Sequence, residues 1–392
     1  MEQETHPLFL GEIREQPRVL SNTLAQYLGP GYHLKMVKPP LDGISLKKIN
    51  KVYLTASGTS FHAALTARYL IEELAELPTV VEQASECGQH QLLVDNCTLA
   101  ITVSQSGRSK GTLRALELAK KKGAITLALV NEPKSPLATL AQGYITTLAG
   151  RVLTPSSTKA FSSQTLVLGL LAFRLAQARG LAGNGFRDEL QRMERLPEIV
   201  RRAITICEEG IGPIASALLG YQHLNILASG NLLPMVYEGG LKLKEVARFF
   251  AEGSSAGEFG HGPLAIAGPE SPVMLLAFND QDNGSVHKDL AHELKRRGSP
   301  LIIITEDGPL RNNGLLGLAD HSILLPQAPP LMRPQVALIP LQLLACRMGQ
   351  LKGLNVDNPG GLLYQAAYSE PDEDRAAESY FQDPKDQRRL VS

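Results

Sequence analysis

From Lys51 onward, short apolar runs alternate with longer amphipathic ones. Val52–Ala56, Leu99–Val103, Ile125–Val130 and Tyr144–Leu148 are brief and continuously apolar, the pattern of strands buried on both faces. Between them Phe61–Leu74, Lys110–Lys122 and Leu137–Gln142 carry helical spacing, and Ala160–Arg179 reads as a long closing helix stopped by Gly180. Strands that alternate with helices predict a parallel sheet covered on both faces.

A charged helical bridge, Asn184–Glu209, separates this block from a second with the same rhythm. There Leu224–Ala228, Val273–Ala277, Leu301–Thr305 and Ile323–Leu325 are predicted strands, and Pro234–Ala251, Val286–Arg297 and Gln335–Leu351 predicted helices. The strands Val52–Ala56 and Leu224–Ala228 both run into Ala-Ser-Gly and then a helix, which marks a tandem repeat of one α/β unit. The chain accordingly divides into a lead-in over 1–45 with a helix at Glu12–Tyr27, a first unit over 46–183, a linker over 184–212, a second unit over 213–366 and a polar tail over 367–392. The tail, with Glu370-Pro371-Asp372-Glu373-Asp374-Arg375, is too charged and too poor in apolar residues to predict a packed structure.

Composition narrows the function. Of 392 residues, 43% are apolar and 20% charged, and Lys+Arg and Asp+Glu balance at 39 each, so no global field favours nucleic acid or an anionic membrane. No apolar run reaches the ~18 residues that a membrane span requires. Cys87, Cys97, Cys207 and Cys346 form neither a zinc spacing nor a disulfide framework, and Met1-Glu2-Gln3-Glu4 does not begin a signal peptide. A reduced cytoplasmic protein without a metal is the expectation.

Three turns in the first block concentrate hydroxyls where strands give way to helices. They are Ser57-Gly58-Thr59-Ser60, Ser104-Gln105-Ser106-Gly107-Arg108-Ser109 and Ser156-Ser157-Thr158-Lys159. Ligands of open parallel sheets bind at these carboxyl ends, where helix N-termini attract phosphate and glycine admits close approach. Each turn alone also reads as an ordinary helix N-cap. Three on one sheet point to a small phosphorylated ligand, and without GxxxxGK[ST] or GxGxxG a nucleotide is disfavoured.

The second block offers proton-transfer groups. Glu238, Lys242 and Glu245 fall at i, i+4 and i+7 on one helix face. Such a stripe can be merely solvated, but Val246, Ala247, Phe249 and Phe250 follow it, so the helix is at least half buried. Gly239 and Gly240 in its middle imply close approach by another backbone or by a ligand. His261 lies in the glycine-flanked segment Gly257-Glu258-Phe259-Gly260-His261-Gly262-Pro263; the other eight of the nine histidines read as structural or surface residues.

These segments, with Glu238-Gly239-Gly240-Leu241-Lys242-Leu243-Lys244-Glu245 and Pro340-Leu341-Gln342-Leu343-Leu344-Ala345, stand in the order found in a known family. Over roughly residues 10–365 the chain resembles the double SIS (sugar isomerase) proteins, of the kind that form the isomerase half of glucosamine-6-phosphate synthase. The resemblance implies two tandem SIS domains, each a flavodoxin-like three-layer αβα sandwich with a parallel sheet. It implies that Ser60, Ser104, Gln105, Ser106, Ser109 and Ser157 hold a phosphorylated hexose or hexosamine. It further implies that Glu245 moves the proton between C1 and C2, that Glu238 and Lys242 line the site, and that His261 opens the sugar ring from a neighbouring subunit of a homodimer. No cofactor is implied.

The chain departs from the family in lacking the glutaminase half, in Tyr364 where the family carries a lysine, in Arg151-Val152-Leu153 where it carries a glutamate, and in Arg108 where an acidic residue is common. An isomerase/deaminase interconverting glucosamine 6-phosphate with fructose 6-phosphate and ammonia is the leading expectation. A fructosamine-6-phosphate deglycase, a subunit of a split synthase and a sugar-phosphate sensor are the alternatives.

Overall fold

The computed structural model describes residues 7–32, 34–35, 46–278, 284–308 and 314–360. Two five-stranded sheets, parallel at every pairing, form its two halves. In the first, β1 (Lys51–Ala56), β2 (Thr79–Gln83), β3 (Thr98–Ser104), β4 (Ile125–Val130) and β5 (Gly143–Thr146) take the order β2-β1-β3-β4-β5. In the second, β6 (His223–Ala228), β7 (Phe250–Ser255), β8 (Val273–Leu276), β9 (Leu301–Glu306) and β10 (His321–Leu325) take the order β10-β9-β8-β6-β7. From its other edge the second order repeats the first, so the shared Ala-Ser-Gly phrase marks a repeat of the whole topology.

The helices are α1 (Leu8–Tyr27), α2 (Thr59–Ala75), α3 (Lys110–Lys121), α4 (Pro136–Leu140), α5 (Lys159–Ala178), α6 (Asn184–Met193), α7 (Leu196–Leu218), α8 (Leu233–Ala247), α9 (Ala256–Phe259), α10 (Gly284–Arg296) and α11 (Arg333–Leu351). Helices α2 and α5 of the first half pack on each other, as do α8 and α11 of the second, while α1 packs on both α5 and α7. One continuous apolar cluster runs from Phe9 through Leu54, Phe161 and Phe173 to Met235, Leu341 and Leu344, so the halves share a core. The central strands read correctly from sequence because both their faces are covered: β3 is buried at every position.

Two strands were not predicted, and both lie at sheet edges. β2 is half exposed, and β7, Phe-Ala-Glu-Gly-Ser-Ser, has neither β-branched residues nor a buried run. The predicted helix Pro234–Ala251 is correspondingly too long: α8 ends at Ala247, where Arg248 adopts a left-handed conformation (φ 45°), and the chain turns into β7. The single bridge Asn184–Glu209 is two helices, α6 and α7, and α7 continues to Leu218. Tyr364 and the polar tail lie outside the described residues.

Glycine explains how α8 sits. A Cβ on Gly239 would stand 2.4 Å from Leu341 Cδ1 of α11, and one on Gly240 would stand 3.0 Å from the Ala251 carbonyl oxygen of β7. The close approach expected at these positions is therefore made by protein. Gly253 of β7 is nearly as tight and meets backbone rather than side chain, its absent Cβ only 2.5 Å from the carbonyl carbon of Val236. Gly253→Ala is expected to cost about 1–3 kcal/mol as overpacking, read as a lower urea midpoint at unchanged m-value. Among the described residues no helix is long and apolar enough to cross a membrane.

Candidate functional site

After β1 the chain crosses to β2 on one side, and after β2 it returns to β3 on the other. The carboxyl ends of β1 and β3, paired in register through Ala56↔Val103, therefore flank the topological switch point of the sheet. The loops 57–60 and 104–109 open there side by side. They enclose a cavity of about 430 Å³ whose lining includes Ser57, Gly58, Thr59, Ser60, Ser104, Gln105, Ser106, Ser109 and Ser157, all nine of the binding residues expected from sequence. Glu245 lines the same cavity from the second half.

The hydroxyls are oriented by their own partners. Ser60 Oγ accepts from Gln164 Nε2 at 2.9 Å, Ser104 Oγ from the Gly107 N–H at 3.0 Å and Ser106 Oγ from the Arg108 N–H at 3.3 Å. A hydroxyl whose oxygen already accepts still has a proton to donate. The cavity thus presents donors, which suits a ligand rich in acceptors. Gly107 is required here: its φ is +64°, and a Cβ would lie 2.2 Å from Ser135 Oγ.

The third turn is anchored from a distance. Glu12 of α1, nearly fully buried, accepts from the Leu153 N–H at 2.6 Å and from Thr154 Oγ1 at 2.7 Å. Lys159 holds Glu15 at 2.7 Å and the Arg151 carbonyl at 2.6 Å, and its hydrogen bond keeps the Glu15 carboxyl below its ordinary pKa. A carboxylate therefore reaches the stretch 151–153, supplied by α1.

Behind Glu245 stands a buried charge cluster. Glu238 and Lys242 have fully buried side chains, which excludes a solvated stripe; they do not line the cavity themselves. Lys242 Nζ bonds Glu245 Oε2 and lies 3.4 Å from Glu238 Oε1. Burial pulls the Lys242 ammonium toward deprotonation, but the two carboxylates outweigh it and hold its pKa above the ordinary value. The lysine is a fixed cation, and Glu245, with 14% of its side chain exposed, is the member of the cluster that reaches the cavity.

His261 is exposed and does not line the cavity of its own chain. Sequence reasoning missed four other participants. Among the described residues Lys110, at the start of α3, is the one cation on the cavity lining. Gln164 orients Ser60, and Glu12 anchors the third turn. His62, expected to be structural or superficial, binds Glu238 at 2.7 Å. The helix predicted from Phe61 begins at Thr59 in the structure, and only this earlier start puts His62 on one face with Thr59, one turn before it. Among the described residues no cluster of histidine, cysteine, aspartate or glutamate could hold a metal ion, and all four cysteines are free.

A duplicated parallel α/β unit, with a hydroxyl-lined cavity at the first switch point and a buried Glu–Lys–Glu cluster brought from the second, defines a two-domain protein with a polar cavity to which both halves contribute. The chain belongs to the SIS domain family, whose model matches residues 45–174 and 219–348. It is similar to glutamine–fructose-6-phosphate aminotransferase (isomerizing) of Mycobacterium leprae, at 35% identity over 363 residues covering 90% of this chain and 56% of that protein. The corresponding protein of Streptomyces coelicolor is 33% identical over 360 residues, covering 90% of this chain and 57% of its own length. The chain thus spans little more than half the length of these curated relatives. A solved structure, the C-terminal domain of glucosamine-fructose-6-phosphate aminotransferase from Francisella tularensis, superposes with a TM-score of 0.84 at 28% identity, covering 90% of this chain and 99% of that one.

Proposed function

We propose that this chain is a sugar-phosphate isomerase acting on a phosphorylated keto or amino hexose. The observation that carries the reading is the pairing, in one cavity, of serine hydroxyls that keep a proton to donate with a carboxylate held by a buried ammonium. A phosphate is rich in acceptors, and the N-termini of α2 and α3 add their dipoles to the serine protons. Its capture at the switch point leaves the sugar carbons within the cavity that Glu245 lines. In the open-chain substrate Glu245 removes the proton from C2, the C1–C2 unit becomes an enediol or enolamine, and the same carboxyl returns the proton to C1. Fixed dipoles stabilise the charge on the intermediate.

With glucosamine 6-phosphate this sequence yields the imine of fructose 6-phosphate, which water converts to fructose 6-phosphate and ammonia. Ring opening needs a further acid–base group. His261, exposed and away from its own cavity, fits that task in the site of a second copy, which supports a homodimer with shared sites. Tyr364 at the family's lysine position favours a second reading, a fructosamine-6-phosphate deglycase, because that substrate already carries its amine.

In D2O the purified protein is expected to exchange the C2 proton of glucosamine 6-phosphate and release equal amounts of ammonia and fructose 6-phosphate, followed by proton NMR and an ammonia assay. Cleavage of fructosamine 6-phosphate without exchange in either hexose phosphate would replace the first reading by the second. Binding of all three sugar phosphates without turnover would make the protein a sensor.

A further inference from the structure

Glu245 does the chemistry in that reading, which leaves two of its neighbours without a task. Glu238 is a fully buried carboxylate, and His62 belongs to the other SIS domain. They meet across the domain boundary, His62 Nδ1 lying 2.7 Å from Glu238 Oε2. Thr59 Oγ1, from the loop that opens the cavity, donates to Glu238 Oε1 at 2.9 Å. Lys242 Nζ lies 3.4 Å from that same oxygen and is bonded to Glu245. A chain of contacts, His62–Glu238–Lys242–Glu245, therefore runs from the helix that follows the first ligand loop to the carboxylate that faces the ligand.

The chemistry of each link gives it a direction. An ionised carboxylate only accepts, so Nδ1 of His62 carries the proton it shares with Glu238. Phe61 and Tyr237 stand with ring centroids 6.0 and 6.2 Å from the imidazole and wall it in, leaving 16% of its side chain exposed. Glu238 is thus clamped at both oxygens by two groups of the first domain. A clamped carboxylate in turn restrains the long, otherwise rotatable lysine, and only a restrained ammonium can hold Glu245 in one orientation. Burying Glu238 is costly, and a merely cohesive contact at this boundary could be made by apolar side chains at less expense.

We infer that His62 is a positioning residue for the proton transfer: through Glu238 it holds the Lys242 ammonium against Glu245, so that the first domain aims the base of the second into its own cavity. This inference rests on the isomerase reading above. It assigns His62 no contact with the substrate.

The test compares His62→Leu, His62→Gln, Glu238→Gln and the double variant His62→Leu/Glu238→Gln with the unaltered protein. C2 exchange of glucosamine 6-phosphate gives kcat and KM, and circular dichroism follows thermal unfolding. His62→Leu is expected to lower kcat roughly 10- to 100-fold, the scale of one lost charge-assisted hydrogen bond. KM should stay within about threefold, because loss of orientation acts on the transition state and leaves ground-state binding in place. His62→Gln, whose amide can still donate, should recover most of the rate. The double variant should be scarcely slower than Glu238→Gln alone, since both changes break one chain.

Unchanged kcat in His62→Leu with a lower unfolding temperature would make the contact architectural and overturn the inference. So would a rise confined to KM, or additive losses in the double variant. If His62→Leu fails to fold, His62→Gln at or below the rate of Glu238→Gln overturns it equally. An unaltered protein that exchanges no proton removes the isomerase reading and this inference together, whereas turnover unaffected by His62→Leu removes the inference alone.

Discussion

Glu245→Gln is expected to lower C2 exchange by roughly 10²- to 10⁴-fold, the range supplied by a general base, with KM for the sugar phosphate little changed. The size of the effect follows from the position of the residue. Among the described residues Glu245 is the one carboxylate on the cavity lining, and the hydroxyls around it cannot accept a carbon-bound proton at neutral pH. Glutamine keeps the shape and accepts from Lys242 through its amide oxygen, so the substitution removes the base and preserves the packing. Binding of inorganic phosphate, measured calorimetrically, should survive because loops 57–60 and 104–109 are untouched. The same variant tests the proposed homodimer with shared sites: mixed and reassembled with His261→Ala, it should regain activity if such a dimer forms, because a hybrid would contain one site with both residues intact. Exchange at the unaltered rate in Glu245→Gln would remove this residue from the chemistry.

Lys242→Met should act on both stability and rate. The ammonium is fully buried between two carboxylates, and removal of one partner from a buried ion pair costs about 3–5 kcal/mol because it strands charge in a poor solvent. Methionine fills similar volume, so little of the loss would come from a cavity. Urea unfolding should show the deficit at neutral pH, and C2 exchange should fall as Glu245 loses its restraint. The pH dependence has a definite sign. The folded-state pKa of Lys242 is raised above 10.5, so its contribution is fully present below that value and is lost as pH climbs through the raised one. The gap between the unaltered protein and Lys242→Met should hold constant through neutral pH and narrow only in the alkaline range. A gap that narrows below pH 9 would contradict the cluster as described.

Much of this was legible along the chain. Buried strands such as Leu99–Val103 announce themselves because both faces are apolar, and the hydroxyl loops follow directly from where those strands end. The grouping of eight polar residues and Gly58 in one cavity was predictable because parallel topology sends the carboxyl ends of β1 and β3 to the same side. The edge strands were not legible. β2 and β7 are half exposed and mixed in composition, and only hydrogen bonding to β1 and β6 makes them strands.

The sequence alone determined the tandem α/β repeat, the three hydroxyl-rich turns and the one helix face that joins Glu238, Lys242 and Glu245. These are local properties, set by the period of apolar residues and by spacings of a few positions. Tertiary structure decided which partners those faces meet. Helical period shows Glu238 and Lys242 on one side of α8 without revealing that the side is wholly buried, or that His62, 176 residues away, closes on it. Glycine at 239 and 240 signals a close approach without saying that Leu341 and Ala251 make it. Glu12 reaches Leu153 across 141 residues, a pairing that no local pattern encodes. The reason is physical: spacing along a chain determines which side chains point the same way, whereas the charge and shape of what they face are set by segments brought together only when the shared core forms.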